Sequence, residues 1–327
     1  GEYMRIGLCA WSFTDSHRKA GREIDPHSPI GLIRLARENN LDSIELASSS
    51  LQNYNTQELV ALQNDLKDLD LFLDTGGTYY ADDITPLQEA IETSHRVGAK
   101  VVRTTISNLL EGDRRSLGLT GIKSYLDALV EPIRSVMHLA EDYKIDIGIE
   151  NHQDFCSWEL LDFCKRVGSP RLGVTMDVAN ALAVGETPIS FAHRILPILK
   201  HVHLKDYTIH PTESGYRFKR CALGDGVVNW SQMFSLFDKE VPNVQGCIEL
   251  GASQARHIRI FNSDYWSTYQ PRPFEENLSA LQTLHSAQRP SSEDWQTPHE
   301  RGKDPSVCAE YEIEQFSQTI SYLETLI

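Results

Sequence analysis

Four short apolar runs each end on a side chain able to bind a cation. Residues 145–150 finish on Glu150, with Asn151 and His152 next. Residues 172–176 lead into Asp177 and, three places on, Asn180. Residues 201–205 carry His203 and Lys205, followed by Asp206, and residues 245–250 carry Glu249. Glu150, Asp177, His203 and Glu249 together make a mixed donor set for one divalent ion. Carboxylates alone suit magnesium or calcium, and one imidazole widens the choice to Mn²⁺, Co²⁺ or Zn²⁺ beside Mg²⁺. Three carboxylates exceed the ion's charge by one, which leaves a modest Lewis acid with room for two substrate oxygens. A vicinal hydroxy-carbonyl group suits such a site, because the metal then steadies the enediolate formed when a C–H proton leaves. Glu150 and Glu249 are the candidate acid/base pair, working on opposite faces of a sugar carbon.

These four side chains meet only if their strands are parallel and finish on one face. The chain has the pattern for that. Strand-like runs cover residues 4–10, 41–47, 71–75, 100–106, 145–150, 172–176, 201–205 and 245–250. Amphipathic helical spacing fills the intervals at residues 30–39, 56–69, 84–97, 118–143, 157–167, 188–199, 230–237 and 274–288. Thr56 and Ser157 are read as helix N-caps, and Gly98 and Gly168 as C-terminal stops. Eight strand–helix alternations predict an α/β fold, a (β/α)₈ TIM barrel, over residues 1–288. A doubly wound open sheet would alternate in the same way, but no G-x-G-x-x-G follows the first strand. Residues 207–226 read as a polar loop. Residues 289–305 are rich in proline and serine and break the pattern. A last helix, residues 307–326, lies outside the eightfold count. The extension 289–327 is expected to pack on the barrel or on a partner subunit.

Bulk properties narrow the partners. The chain has 327 residues and a formal net charge of -15. That balance opposes a nucleic-acid partner, which would need a basic surface. No run approaches the length of a membrane span. Six scattered cysteines without a C-x-x-C pair suit buried, reduced thiols, and a cytoplasmic location is expected. The expected partner is a small carbohydrate, with a homo-oligomer as an open option.

Further side chains at strand ends are candidates for substrate contact. His152 is a candidate acid or hydrogen-bond donor, useful if a hydroxide must leave. Lys205 is a candidate for a substrate oxygen or a salt bridge, and Asn180 and Asp206 stand with it. Arg103, inside a strand, needs a carboxylate partner such as Glu150. Trp11 and Tyr79 could form an apolar wall against a sugar ring or serve as core. Arg217, Lys219 and Arg220 could recognise a phosphate or carboxylate, although a solvated surface cluster is the commoner outcome.

Here the sequence resembles the xylose isomerase-like TIM barrel superfamily, the sugar phosphate isomerase/epimerase group. The resemblance is carried by Ile149-Glu150-Asn151-His152, Met176-Asp177-Val178-Ala179-Asn180, His201-Val202-His203-Leu204-Lys205-Asp206 and Ile248-Glu249, with Leu223-Gly224-Asp225-Gly226-Val227-Val228-Asn229-Trp230 as the entry to a late helix. It covers roughly residues 4–288 and implies that Glu150, Asp177, His203 and Glu249 are metal ligands. It implies a metal-dependent keto-sugar isomerase or epimerase. The alternatives are a dehydratase of an inosose or dehydroshikimate-like substrate and an inactive sugar-binding barrel. Ketose 3-epimerases carry a His where this chain has Asn180 and an Arg where it has Ile209. The endonuclease IV branch needs histidines on strands three and four, which here end in Thr75-Gly76-Gly77-Thr78-Tyr79 and Thr104-Thr105-Ile106-Ser107.

Overall fold

Two periodicities alternate along the chain and set its architecture. Short β-rich runs of period two are separated by amphipathic stretches of period 3.6, so each strand can lay a helix on its outer side. The computed structural model describes residues 3–76 and 79–326. Gly77 and Thr78, read above as part of the end of the third strand, lie outside the described residues.

The strands are β1 (Ile6–Cys9), β2 (Ser43–Ala47), β3 (Asp70–Thr75), β4 (Val101–Thr104), β5 (Asp146–Glu150), β6 (Leu172–Asp177), β7 (Leu199–Leu204), β8 (Asp206–Pro211), β9 (Tyr216–Cys221), β10 (Gly246–Ile248) and β11 (Arg256–Ile258). Among the described residues, eight parallel strands close into a barrel in the order β1-β10-β7-β6-β5-β4-β3-β2. The expected (β/α)₈ TIM barrel is the observed fold. Outward residues such as Leu8, Ile44, Leu73, Val102, Ile147, Val174 and Val202 join the main core under the helices. The barrel lumen holds a separate small apolar cluster, Cys9, Phe72, Val101 and Cys247. Beside and above these residues the lumen is polar, with Glu45, Asp74, His201, His203 and Thr175 all buried. Barrels of this kind usually fill that space with branched aliphatics. Gly148 makes room for the polar layer, because a Cβ there would stand 2.2 Å from Thr175 Oγ1.

Helix starts differ in detail from the sequence reading. The helix Thr56–Leu66 is capped by Asn55, not Thr56, in a capping box with Glu58. In the helix Ser157–Val167 Cys156 holds the cap position, and Ser157 bonds Glu186 instead. All six cysteines are free and buried.

The region 207–226 is not a polar loop. β8 and β9 pair antiparallel, β11 adds to β9, and the three form a second sheet beside the rim. The apolar residues alternate there, with Tyr207 and Ile209, then Tyr216 and Phe218, buried. Asp206 fastens the hairpin: it accepts bonds from the backbone N–H of Tyr207, Gly224 and Val228 and from Trp230 Nε1. The last helix, Pro305–Leu326, packs on this same chain. Phe316 meets Phe13 at 5.8 Å between ring centroids. Glu312 accepts from His17 Nε2 and from the Thr14 N–H. No described helix is long and apolar enough to cross a membrane.

Candidate active site

Register brings the four donors together. Asp177 ends β6 opposite His203, and His203 lies opposite Cys247, two residues before Glu249. A shift in register between Val174 and Thr175 sets this alignment. One ligand atom from each of Glu150, Asp177, His203 and Glu249 lies within 4.8 Å of the others, and all four residues are buried. His203 Nδ1 is 2.6 Å from Glu150 and 4.0 Å from Glu249.

This donor set fits a divalent ion. Asp177 is fully buried, yet neither carboxylate oxygen has a hydrogen-bond partner. Burial, with Glu150 and Glu249 nearby, pushes its carboxyl well above the usual range. Lys205 Nζ stands 3.8 Å from it but is spent mainly on Glu249, at 2.6 Å, and on the carbonyl of Gly251, also at 2.6 Å. Three buried carboxylates beside orphaned oxygens make a strong case for a cation.

Beneath this cluster lies a layer that no sequence motif announced. Glu45 accepts from His201 Nε2 and His203 Nε2, both at 2.5 Å. Burial works against the Glu45 charge, but the two imidazoles outweigh it and hold its carboxyl well below the usual range. Asp74, one strand over, is pushed well above its usual range by burial and by Glu45. His203 thus meets a carboxylate at each ring nitrogen, with Nε2 toward Glu45 and Nδ1 toward Glu150 and the candidate metal position.

The remaining candidates divide. Arg103 Nη2 bonds Glu150 at 3.0 Å, while its Nε is buried without a partner. His152 Nε2 is 3.7 Å from Glu150, with its side chain 35% exposed. Burial, with Arg103 and Lys205 nearby, lowers its pKa. Trp11, 45% exposed, lines two adjoining cavities of about 670 and 510 Å³ that also share Arg103 and His152. Three candidates face elsewhere. Tyr79 stacks on Tyr125 at 4.9 Å and is absent from the walls of both cavities. Asn180 is spent on Gln153, Tyr207 and the Asn151 carbonyl. Asp206 is spent on the hairpin, as described above. Sequence type alone does not separate a strand-end polar group aimed at the cavity from one that braces backbone.

Just behind the site, Asp154 accepts from Ser107 Oγ and from the His152 and Phe155 N–H groups. Burial nonetheless pushes its pKa up to about 7. A carboxyl raised in the folded state favours folding while protonated. Its cost therefore grows as pH rises from about 4 to about 7 and is complete above that. In Asp154→Asn the amide oxygen keeps both backbone bonds and the NH₂ faces Ser107. The variant is expected to match or exceed wild-type stability at pH 8 by about 1–3 kcal/mol and to lose that advantage by pH 5. Urea melts at the two pH values check this, and an equal offset at both contradicts it.

A closed (β/α)₈ barrel with a buried cation-ready cluster at its C-terminal rim defines a class of scaffold whose chemistry sits at strand ends. Within that class, the chain belongs to the xylose isomerase-like TIM barrel family, whose pattern matches residues 33–262. It is similar to the uncharacterized protein YihM of Escherichia coli K12, 28% identical over 205 residues, 61% of this chain. The chain spans 59% of that relative's length. It is also similar to the 3-oxo-isoapionate decarboxylase of Pectobacterium atrosepticum, 20% identical over 249 residues, covering 75% of this chain and 85% of that one. Among solved structures, D-psicose 3-epimerase from Clostridium cellulolyticum H10 superposes with a TM-score of 0.60 at 14% identity, over 87% of this chain and 99% of that one. The probable 3-DHS dehydratase AsbF of Bacillus anthracis superposes with a TM-score of 0.56 at 18% identity, over 75% and 92%. These structural likenesses establish the shared fold.

Proposed function

We propose that this protein is a metal-dependent sugar isomerase or epimerase that moves a proton on a carbon next to a carbonyl. The observation that carries this reading is the convergence of Glu150, Asp177, His203 and Glu249, with both Asp177 oxygens unpartnered. The family, with an epimerase among its structural neighbours, supports a sugar-modifying enzyme. Glu150, Asp177, His203 and Glu249 would hold the ion. When bound, a divalent cation supplies Lewis-acid polarisation of the carbonyl and offsets the negative charge that develops.

The rest falls to side chains of this chain. Glu249 stands at the cavity wall, its Oε1 held by the Gly251 N–H at 2.8 Å and its Oε2 by Lys205. It removes the proton from one face of the substrate carbon. Glu150, oriented by Arg103, returns a proton on the other. Trp11 supplies an apolar wall that excludes water from one side of the ring.

A lyase is the second reading, and His152 favours it. It stands on the open side of Glu150 and lines both cavities, where a β-hydroxyl would leave with its help.

The test is metal analysis followed by a panel of ketoses and keto acids in D₂O, read by NMR. Metal-dependent deuterium at the carbon beside the carbonyl is the expected result. An epimer or isomer as product supports the first reading, and an enone absorbing in the near ultraviolet supports the second. No exchange with any member, despite bound sugar, would leave a binding protein and reject both.

A further inference from the structure

We propose that the cavity above Glu249 takes a substrate with a negatively charged group, a carboxylate or a phosphate, seated between Arg220 and Arg256. This rests on the reading of the rim as a sugar-modifying site and narrows its substrates to acidic ones.

Charge distribution carries the inference. The 510 Å³ cavity is lined by Arg103, Lys205, Arg220 and Arg256, with Glu249 at its base. Two of these cations are committed, Arg103 to Glu150 and Lys205 to Glu249. A divalent ion among the three ligand carboxylates would leave one negative charge, and the ionised Glu45 beneath adds a second; Arg103 and Lys205 cancel the two. Arg220 and Arg256 then have no carboxylate to answer them, and neither forms an ion pair among the described residues. Asp15, which also lines the cavity, is paired with Lys19 at 3.1 Å. Glu312 feels the Arg220 charge but bonds His17 and Thr14, with His299 at 2.9 Å.

The two arginines are also built into place. Arg256 on β11 lies opposite Phe218 on β9, and Arg220 is two residues along that strand. Alternation puts Arg220, Phe218 and Arg256 on one face of the sheet. Arg220 is only 1% exposed. Its Nε donates to Gln315 and its Nη2 to the Ser12 carbonyl, while Nη1 is buried with no partner. A buried guanidinium donor left unmet costs free energy that an incoming oxyanion would recover. The cations on the other face are differently employed. Arg217 stacks on Trp295 at 4.0 Å, and Lys219 donates to the Asp294 carbonyl. A cationic cavity in a chain of net charge -15 is a local arrangement against the protein's overall field.

The experiment uses the full chain loaded with Mn²⁺ and three matched probes titrated by calorimetry: D-fructose, D-fructose 6-phosphate and 5-keto-D-gluconate. At least one acidic probe is expected to bind about tenfold or more tightly than the neutral sugar. A gain with the phosphate alone, or the keto acid alone, identifies the group. In Arg256→Gln, a partly exposed position whose loss the fold should tolerate, the acidic-to-neutral affinity ratio is expected to fall to near one. Equal binding of all three, no binding of either acidic probe at millimolar concentration, or an undiminished ratio in Arg256→Gln overturns the inference. Failure here is separable from failure of the proton-transfer reading. Metal-dependent deuterium exchange on neutral sugars would survive the first. Selective binding of acids without any exchange would reject only the second.

Discussion

Replacing Glu249 with Gln is expected to lower deuterium exchange into substrate by about 10³-fold, within the range a positioned general base contributes. The substitution keeps the shape of the side chain. The amide oxygen still accepts from the Gly251 N–H, the NH₂ takes the place of Oε2 toward Lys205 and His203, and no basic oxygen remains to take a proton. Lys205, at present 2.6 Å from the carboxylate, loses one ion-pair partner and keeps the Gly251 carbonyl and Asp177. Metal content is therefore measured beside the rate. A variant that retains metal and binds sugar while its exchange collapses places proton transfer at Glu249. Exchange within tenfold of wild type would remove Glu249 from that role, whatever the metal does. Glu150→Gln separates the two carboxylates. Its amide can keep the Arg103 bond or the His203 contact but not both, so both metal affinity and rate should fall.

Much of this site could be read before any coordinates, for a simple geometric reason. In a strand, alternate residues share a face, so His201, His203 and Lys205 had to point the same way, and a parallel barrel has only one rim for strand C-termini. Glu150, Asp177 and Glu249 occupied the same position on their own strands. Glu45 and Asp74 obeyed the same alternation and were still missed as parts of the site. Glu45 lies between Ile44 and Leu46 in strand two, and Asp74 lies between Leu73 and Thr75 in strand three. In an open sheet such polar positions would meet water, and only closure of the barrel turns them into the lumen. Arg220 was named as a possible phosphate or carboxylate contact, but only together with Arg217 and Lys219 and beside the reading of a solvated cluster. Its bonds reach Gln315 and Ser12, far away in sequence, and its local surroundings looked like a solvated basic patch. The hairpin holding it was misread because the alternating apolar residues of 207–221 are interrupted by charged and turn-forming ones. Tyr79, Asn180 and Asp206 failed in the opposite direction. Each is a polar or aromatic side chain close to a rim, and each is committed to an internal contact.

Removing Glu45 tests whether the polar layer in the lumen sets the properties of the rim. In Glu45→Gln, metal affinity is expected to fall by about 10–100-fold, the usual effect of losing the partner that orients a ligating histidine. The wild-type carboxylate accepts from two imidazoles at once, which holds Nε2 of His203 toward Glu45 and Nδ1 toward Glu150 and Glu249. A glutamine has one acceptor and one donor. It can satisfy His201 or His203, and the other ring must turn or change tautomer. The alanine variant goes further, since it leaves His201, His203 and Asp74 in a dry cavity with their central partner gone. Breaking a buried charged pair in this way costs about 3–5 kcal/mol, so Glu45→Ala should show reduced stability even before metal is added. The glutamine variant is the sharper probe. Its melting point in chelator should stay nearer the wild type, while the upward shift on adding Mn²⁺ should shrink. A full-sized metal shift in Glu45→Gln would mean that His203 finds its orientation without Glu45, and the lumen layer would then be packing beneath the site with no hold on the ligand.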